Sequence, residues 1–121
     1  VIQNEYSAIE ILLNYGCDLT IKDIFGRGLL HIASILGYPN LISLLIKNKM
    51  NVNLKDNFGK TSLHYSAQCA NLSCQEVLIR NNAQVETVDK FNDTPMLIAA
   101  FFGNKQELNS LYEVSSKEAS F

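Results

Sequence analysis

Long apolar runs are missing from this chain of 121 residues. The longest, Leu41 to Ile46 and Met96 to Phe102, fall far short of the ~20 residues a membrane-spanning helix needs. The first residues show no basic segment followed by a cleavable apolar stretch. Histidine is scarce: His31 and His64 are the only two, so any catalytic or metal site built on imidazole has to pass through them. The three cysteines, Cys17, Cys69 and Cys74, lack the close CxxC pairing of a zinc or redox site. Glycine-rich phosphate loops, GxSxG and HExxH are absent as well. Net charge is small, −2, which gives no electrostatic reason to expect nucleic acid or an anionic membrane as partner. A content of 47% hydrophobic and 18% charged residues is that of a globular domain.

What is present is a period. Asp-x-Phe returns at Asp23, Asp56 and Asp89, 33 residues apart each time, and the neighbouring residues return with it. Five residues after each Asp the chain reads Gly28-Leu-Leu-His-Ile-Ala, Thr61-Ser-Leu-His-Tyr-Ser and Thr94-Pro-Met-Leu-Ile-Ala. Each unit therefore predicts a turn, a short helix, a second helix and a loop to the next turn. In the unit from Asp23, Gly26 supplies the turn, Leu30, Ile32 and Ala33 form the buried stripe of helix one, and Gly37 stops it. Pro39 fits the first turn of helix two, where its missing N–H costs nothing, and Leu41, Ile42, Leu44 and Leu45 give that helix its core face. The next unit repeats this with Leu63, Tyr65, Ala67, Cys74, Val77 and Leu78.

A period of 33 with variants of Thr-Pro-Leu-His-x-Ala resembles the ankyrin repeat. Gly37-Tyr-Pro-Asn-Leu-Ile-Ser-Leu-Leu-Ile followed by Met50-Asn-Val-Asn is similar to the second half of that repeat, and the resemblance covers residues 1 to about 113. It implies an all-α solenoid of stacked helix-turn-helix units with β-turn or hairpin loops, in which stacking supplies the core that no single unit can build. The expected divisions are 1–22, the second half of a preceding repeat with Ala8, Ile9, Ile11 and Leu12 as its apolar stripe; 23–55; 56–88; 89–113, a terminal cap; and 114–121, a linker or frayed tail. The opening in mid-repeat at Val1 leads us to expect a fragment of a longer protein. Glu107 and Ser110, in the register of Leu41 and Leu44 and then of Cys74 and Val77, are expected to give the last unit a polar outer face. Cys17 and Cys74 fall at small apolar core slots, which fits buried thiols in a reducing compartment and an intracellular protein, cytoplasmic or nuclear.

Gly28 and Leu29 replace Thr-Pro, so the first full unit loses its hydroxyl cap, worth roughly 1 kcal/mol, and should be the softer one. Leu97 replaces the histidine of the last unit, where the turn network should be incomplete. The resemblance gives His31 and His64 a structural task, tying each turn to its neighbour by hydrogen bonds. A Cys69/His64 dyad fails on geometry, since five residues on one helix rotate by about 500° and leave the side chains some 140° apart. Asp23, Asp56 and Asp89 belong to turns, and stacked units roughly 10 Å apart cannot share a cation. No catalysis, cofactor or metal is expected.

Surface is what remains. In proteins of this kind, partners are met by the turn tips and the exposed face of helix one, which line the concave side. Carried onto this sequence, those slots are Ile24, Phe25 and Arg27 with Ile35 and Leu36; Asn57, Phe58 and Lys60 with Gln68 and Cys69; and Lys90, Phe91 and Asp93 with Phe101 and Phe102, with Lys22, Lys55 and Val88 completing the row. Many of these are large and apolar, which marks interaction sites, although the Phe25, Phe58 and Phe91 ladder also suits a stacking role between turns. The expected function is a non-catalytic scaffold that binds another protein through its concave face, alone or as a subunit of a larger assembly. The alternative is a regulatory or targeting region of a larger enzyme or channel. Nucleic-acid binding is disfavoured, because Arg27, Lys60 and Lys90 are offset by acids such as Asp93. Asn53 resembles the loop asparagine that hydroxylases modify in this family, although Asn51 stands where an acid is favoured, two residues before it.

Overall fold

The computed structural model describes residues 22–119. Six helices follow one another: α1 (Leu29–Leu36), α2 (Pro39–Lys47), α3 (Ser62–Gln68), α4 (Leu72–Arg80), α5 (Pro95–Phe101) and α6 (Lys105–Ala119). They form three antiparallel pairs, α1 with α2, α3 with α4 and α5 with α6. The pairs stack so that α1 packs on α3 and α3 on α5, while α2 packs on α4 and α4 on α6. The connections are turns, with no strand among the described residues. The half-repeat expected before Asp23, with Ala8, Ile9, Ile11, Leu12 and Cys17, lies outside the described residues.

Left-handed residues set the breaks in register. Gly37, Ala70 and Gly103 share one slot, with φ of 81°, 57° and 71°, and each ends a first helix. Gly26, Gly59 and Asn92 share another at the turn tips. Gly59 is constrained by space as well as by its φ of 74°, because an added Cβ would lie 3.0 Å from the Lys90 nitrogen and 3.2 Å from the Asp89 Cα.

The core is continuous across the units: Leu30, Ala33, Ile42 and Leu45, then Leu63, Ala67, Cys74 and Leu78, then Ala99 and Leu111 are all buried. Tyr65 is buried as expected, while Ile32, Leu41 and Val77 are only half-buried. Gln75 interrupts this apolar set at the register of Ile42. It is fully buried, its Nε2 donates to the Glu107 carbonyl at 3.1 Å, and its Oε1 has no partner. A buried acceptor left unpaired costs more than one hydrogen bond returns. Gln75→Met keeps the unbranched shape and removes that acceptor, so the chemical-denaturation midpoint should rise by the equivalent of about 1 kcal/mol. A lower midpoint would mean that the amide contributes more than its contacts indicate.

Two expectations for the last unit are corrected. Glu107 is 4% exposed and shares the register of buried Cys74, so it lies on an inner face and provides no polar outer one. Ser110 is half-buried, and the first helix leaves apolar groups on the outer side: Leu97 is 54% exposed where His31 and His64 are fully buried, and Ala100 is exposed where Ser34 and Ala67 are buried. The second correction concerns 114–121. Helix α6 continues to Ala119, 15 residues against 9 for α2 and for α4, so the stretch read as a linker is helical to that point. No Gly or Pro interrupts it, Val114 packs on the core, and Ser115 Oγ donates to the Glu86 carboxylate.

Candidate functional site

Each turn tip is organised by its aspartate. Asp23 Oδ1 accepts from the N–H groups of Phe25 and Arg27, Asp56 Oδ1 from Phe58 and Lys60, and Asp89 Oδ1 from Phe91 and Asp93, all at 2.9 Å. This Asx-type closure turns the carboxylates inward: Asp56 and Asp89 are 8% and 6% exposed. The remaining oxygens are engaged too. Arg27 Nε donates to Asp23 at 2.8 Å, Lys60 Nζ reaches across to Asp89 at 2.7 Å, and Tyr65 donates its hydroxyl to Asp56. Burial pushes Asp89 upward, but the Lys60 ammonium and the two backbone N–H groups more than offset it and hold the carboxyl below the usual range. Burial, followed by the bond to Asp56, pushes the Tyr65 phenol far above its ordinary value.

Successive turns are joined through the backbone. Asn57 N–H donates to the Phe25 carbonyl and Lys90 N–H to the Phe58 carbonyl, each at 2.9 Å. The histidines lock the turns to the helices. His31 Nδ1 accepts from Gly28 N–H at 3.0 Å, and its Nε2 faces the carbonyls of Leu54 and Lys60 at 2.8 and 3.0 Å. In the next unit, Nδ1 of His64 accepts from Thr61 N–H at 3.0 Å and its Nε2 faces the Asp93 carbonyl at 2.9 Å. An Nδ1 that accepts and an Nε2 that faces carbonyls define the neutral tautomer with the proton on Nε2. Burial lowers the pKa of both rings. With both nitrogens committed, neither imidazole is left to act as acid, base or ligand.

The missing hydroxyl cap of the first unit is visible in these bonds. Thr61 Oγ1 meets His64 Nδ1 at 3.0 Å and Thr94 Oγ1 accepts from Leu97 N–H at 3.2 Å, whereas Gly28 has no side chain to do either. In the last unit Thr94 retains the cap, but the exposed Leu97 has no polar atom to continue the network.

The residues expected to meet a partner are all at the surface or half-buried. Ile24 (86% exposed), Phe25, Leu36, Phe58, Phe91, Phe101 (84%) and Phe102 are exposed apolar groups; Asn57, Cys69 and Lys90 are exposed, and Arg27, Ile35, Lys60, Gln68 and Asp93 are half-buried. The phenylalanine ladder takes the stacking role between turns, and its rings also stay in solvent. Phe25 and Phe58 lie 6.0 Å apart and tilted by 31°, Phe58 and Phe91 lie 6.5 Å apart and nearly parallel, and all three remain exposed. Arg27 sits 5.0 Å from the Phe25 ring centre and Lys60 5.8 Å from that of Phe91. Phe101 and Phe102 pack edge to face at 5.2 Å, and neither is covered by the last unit. Partial burial raises the Cys69 thiol, which keeps it protonated and a poor nucleophile near neutral pH.

Sequence reasoning missed two tethers. Asn71 Nδ2 donates to the carbonyls of Ser34 and Ile35, and Asn104 Nδ2 to those of Ala67 and Gln68, satisfying the last carbonyls of the preceding first helix. The signal was available, since both asparagines follow the left-handed slot and stand 33 residues apart. Asn53 is also structurally engaged, its Oδ1 accepting from Gln84 N–H at 2.8 Å.

Three stacked helix pairs, with turns tied together by repeating Asp and His residues, define a helical repeat solenoid that displays its turn tips and first helices at the surface. The sequence matches the family model described as ankyrin repeats (3 copies) over residues 1–89. The chain belongs to the ankyrin-repeat family, whose members are generally protein–protein interaction modules and typically non-catalytic. Among curated proteins, none matches this sequence. No described helix is long and apolar enough to cross a membrane.

Proposed function

We propose that this chain is a non-catalytic scaffold that binds a partner protein through the concave face formed by its turn tips and first helices. The observation that carries this reading is the run of large apolar side chains left in solvent along those elements, from Ile24 and Phe25 through Phe58 and Phe91 to Phe101 and Phe102. Scattered exposed apolar residues need no explanation, but a concentration of aromatics at the slots a partner would meet does. Inter-unit hydrogen bonds hold the tips in fixed relative positions, so little conformational entropy is lost on binding.

Replacing both Phe101 and Phe102 with Ser should weaken partner binding at least tenfold, the loss of about 1.4 kcal/mol or more that aromatic anchors commonly contribute. Helical circular dichroism and the melting temperature should hardly change, because neither ring belongs to the core cluster. A variant that binds normally, or one that unfolds, would remove these two residues from the binding face.

A further inference from the structure

We infer that the partner segment is acidic and extended, with carboxylates at alternate positions facing the turn tips; this rests on the reading of the face as protein-binding and specifies its chemistry. The first ground is the direction of the charges. Although the whole chain carries −2, the repeating aspartates point inward onto backbone N–H groups. Asp56 and Asp89 are buried, and Asp23 is paired with Arg27. Lys22, Lys55 and Lys90 are exposed on the same turns. The repeating acids of the turns are thus turned inward while Glu76, Glu86 and Glu113 are exposed away from the tips, and the lip presents cations. Asp93 is the exception, a half-buried acid beside Lys90.

The second ground is the ring geometry. Phe58 lies between Phe25, tilted by 31°, and Phe91, nearly parallel to it, and Arg27 and Lys60 lie over the outer rings, so the ladder offers its edges more than its inner faces. A nucleobase needs a free face on which to stack. Ring edges are the electropositive part of the quadrupole and favour carboxylates, as the lysines do. The third ground is spacing. Ring centres 6.0 and 6.5 Å apart match the ~6.6 Å between alternate residues of an extended strand. A segment running along the tips would bring every second side chain to a successive ring.

The test is selection from a random library of peptides of about twelve residues, displayed on phage and panned on the whole chain, with the selected peptides then synthesised for fluorescence anisotropy. The expected binders are enriched in Asp or Glu at alternate positions and lose about tenfold in affinity to the triple variant Lys22→Ser, Lys55→Ser, Lys90→Ser, as the loss of three exposed ion pairs implies. Their affinity should also fall between low and high salt, and their Gln and Asn analogues should bind more weakly. Binders that depend on Phe101 and Phe102 but show no acidic enrichment, or that bind equally as amides, would overturn the acidic partner and leave the binding face standing. Binders indifferent to both variants would remove the face itself. Failure to select any peptide, or equal competition by a single-stranded oligothymidylate, would also overturn the inference.

Discussion

Replacing Asp56 with alanine is expected to destabilise the protein by about 3 kcal/mol, the sum of three modest hydrogen-bond losses at one partly dry site. Asp56 Oδ1 accepts two backbone N–H groups, and its other oxygen takes the hydroxyl of Tyr65, a ring only 7% exposed. Alanine leaves all three donors without that acceptor, and water has little access to the phenol. Asp23→Ala is the internal control. Asp23 accepts the same two N–H groups, but it is half-buried and its other oxygen meets Arg27, which solvent can take over, so a clearly smaller loss is expected there. Asp56→Asn should fall between them, since its carbonyl can keep the N–H bonds while its amide meets the Tyr65 hydroxyl donor to donor unless that hydroxyl rotates. Urea midpoints read at constant slope decide the matter. Equal losses at Asp23 and Asp56 would show that Tyr65 adds nothing to the turn.

Mild acid is expected to have the second large effect. His31 and His64 are neutral in the fold, and burial holds both below their ordinary value of 6.5. The unfolded chain therefore takes up protons on these rings at a pH where the folded chain does not. Stability is fully present above pH 6.5 and falls as the pH drops toward the folded-state values, with a slope of at most about 1.4 kcal/mol per pH unit for each ring. Asp23 and Asp89, held below 3.8, add their loss only in more acidic solution. Melting temperature should thus be level from pH 8 to about 7 and fall as the pH drops below 6.5 toward the folded-state values. A level profile down to pH 5 would show that the rings accept protons without breaking their bonds to the neighbouring turns.

The fold could be read from the sequence because the period assigns residues by register. Asp23, His31 and Gly37 identify turn, helix and stop in one unit, and the other units can be checked against it. Register alone does not say which way a slot faces. Glu107 illustrates this, for a polar residue at an apolar slot suggested an outer face, whereas the slot points between helices and the carboxylate-bearing residue is buried there. The length of α6 escapes the register for a different reason, since nothing in 114–121 continues the period, and the helix is held instead by contacts of Val114 and Ser115 that no repeat slot encodes. Of the candidate surface, the exposed positions followed from repeat logic, and the inward direction of the aspartates did not. That direction is set by hydrogen bonds two and four residues along the turn, which composition and net charge do not register.

The backbone bonds from Asn57 to Phe25 and from Lys90 to Phe58 have their donor in one unit and their acceptor in the unit before. Each amide is therefore a reporter on a junction, and its exchange with solvent deuterium measures how often two neighbours part company, whatever happens inside either of them. Two probes at two consecutive seams suffice to tell whether the array opens from one end, from the other, or as a single block.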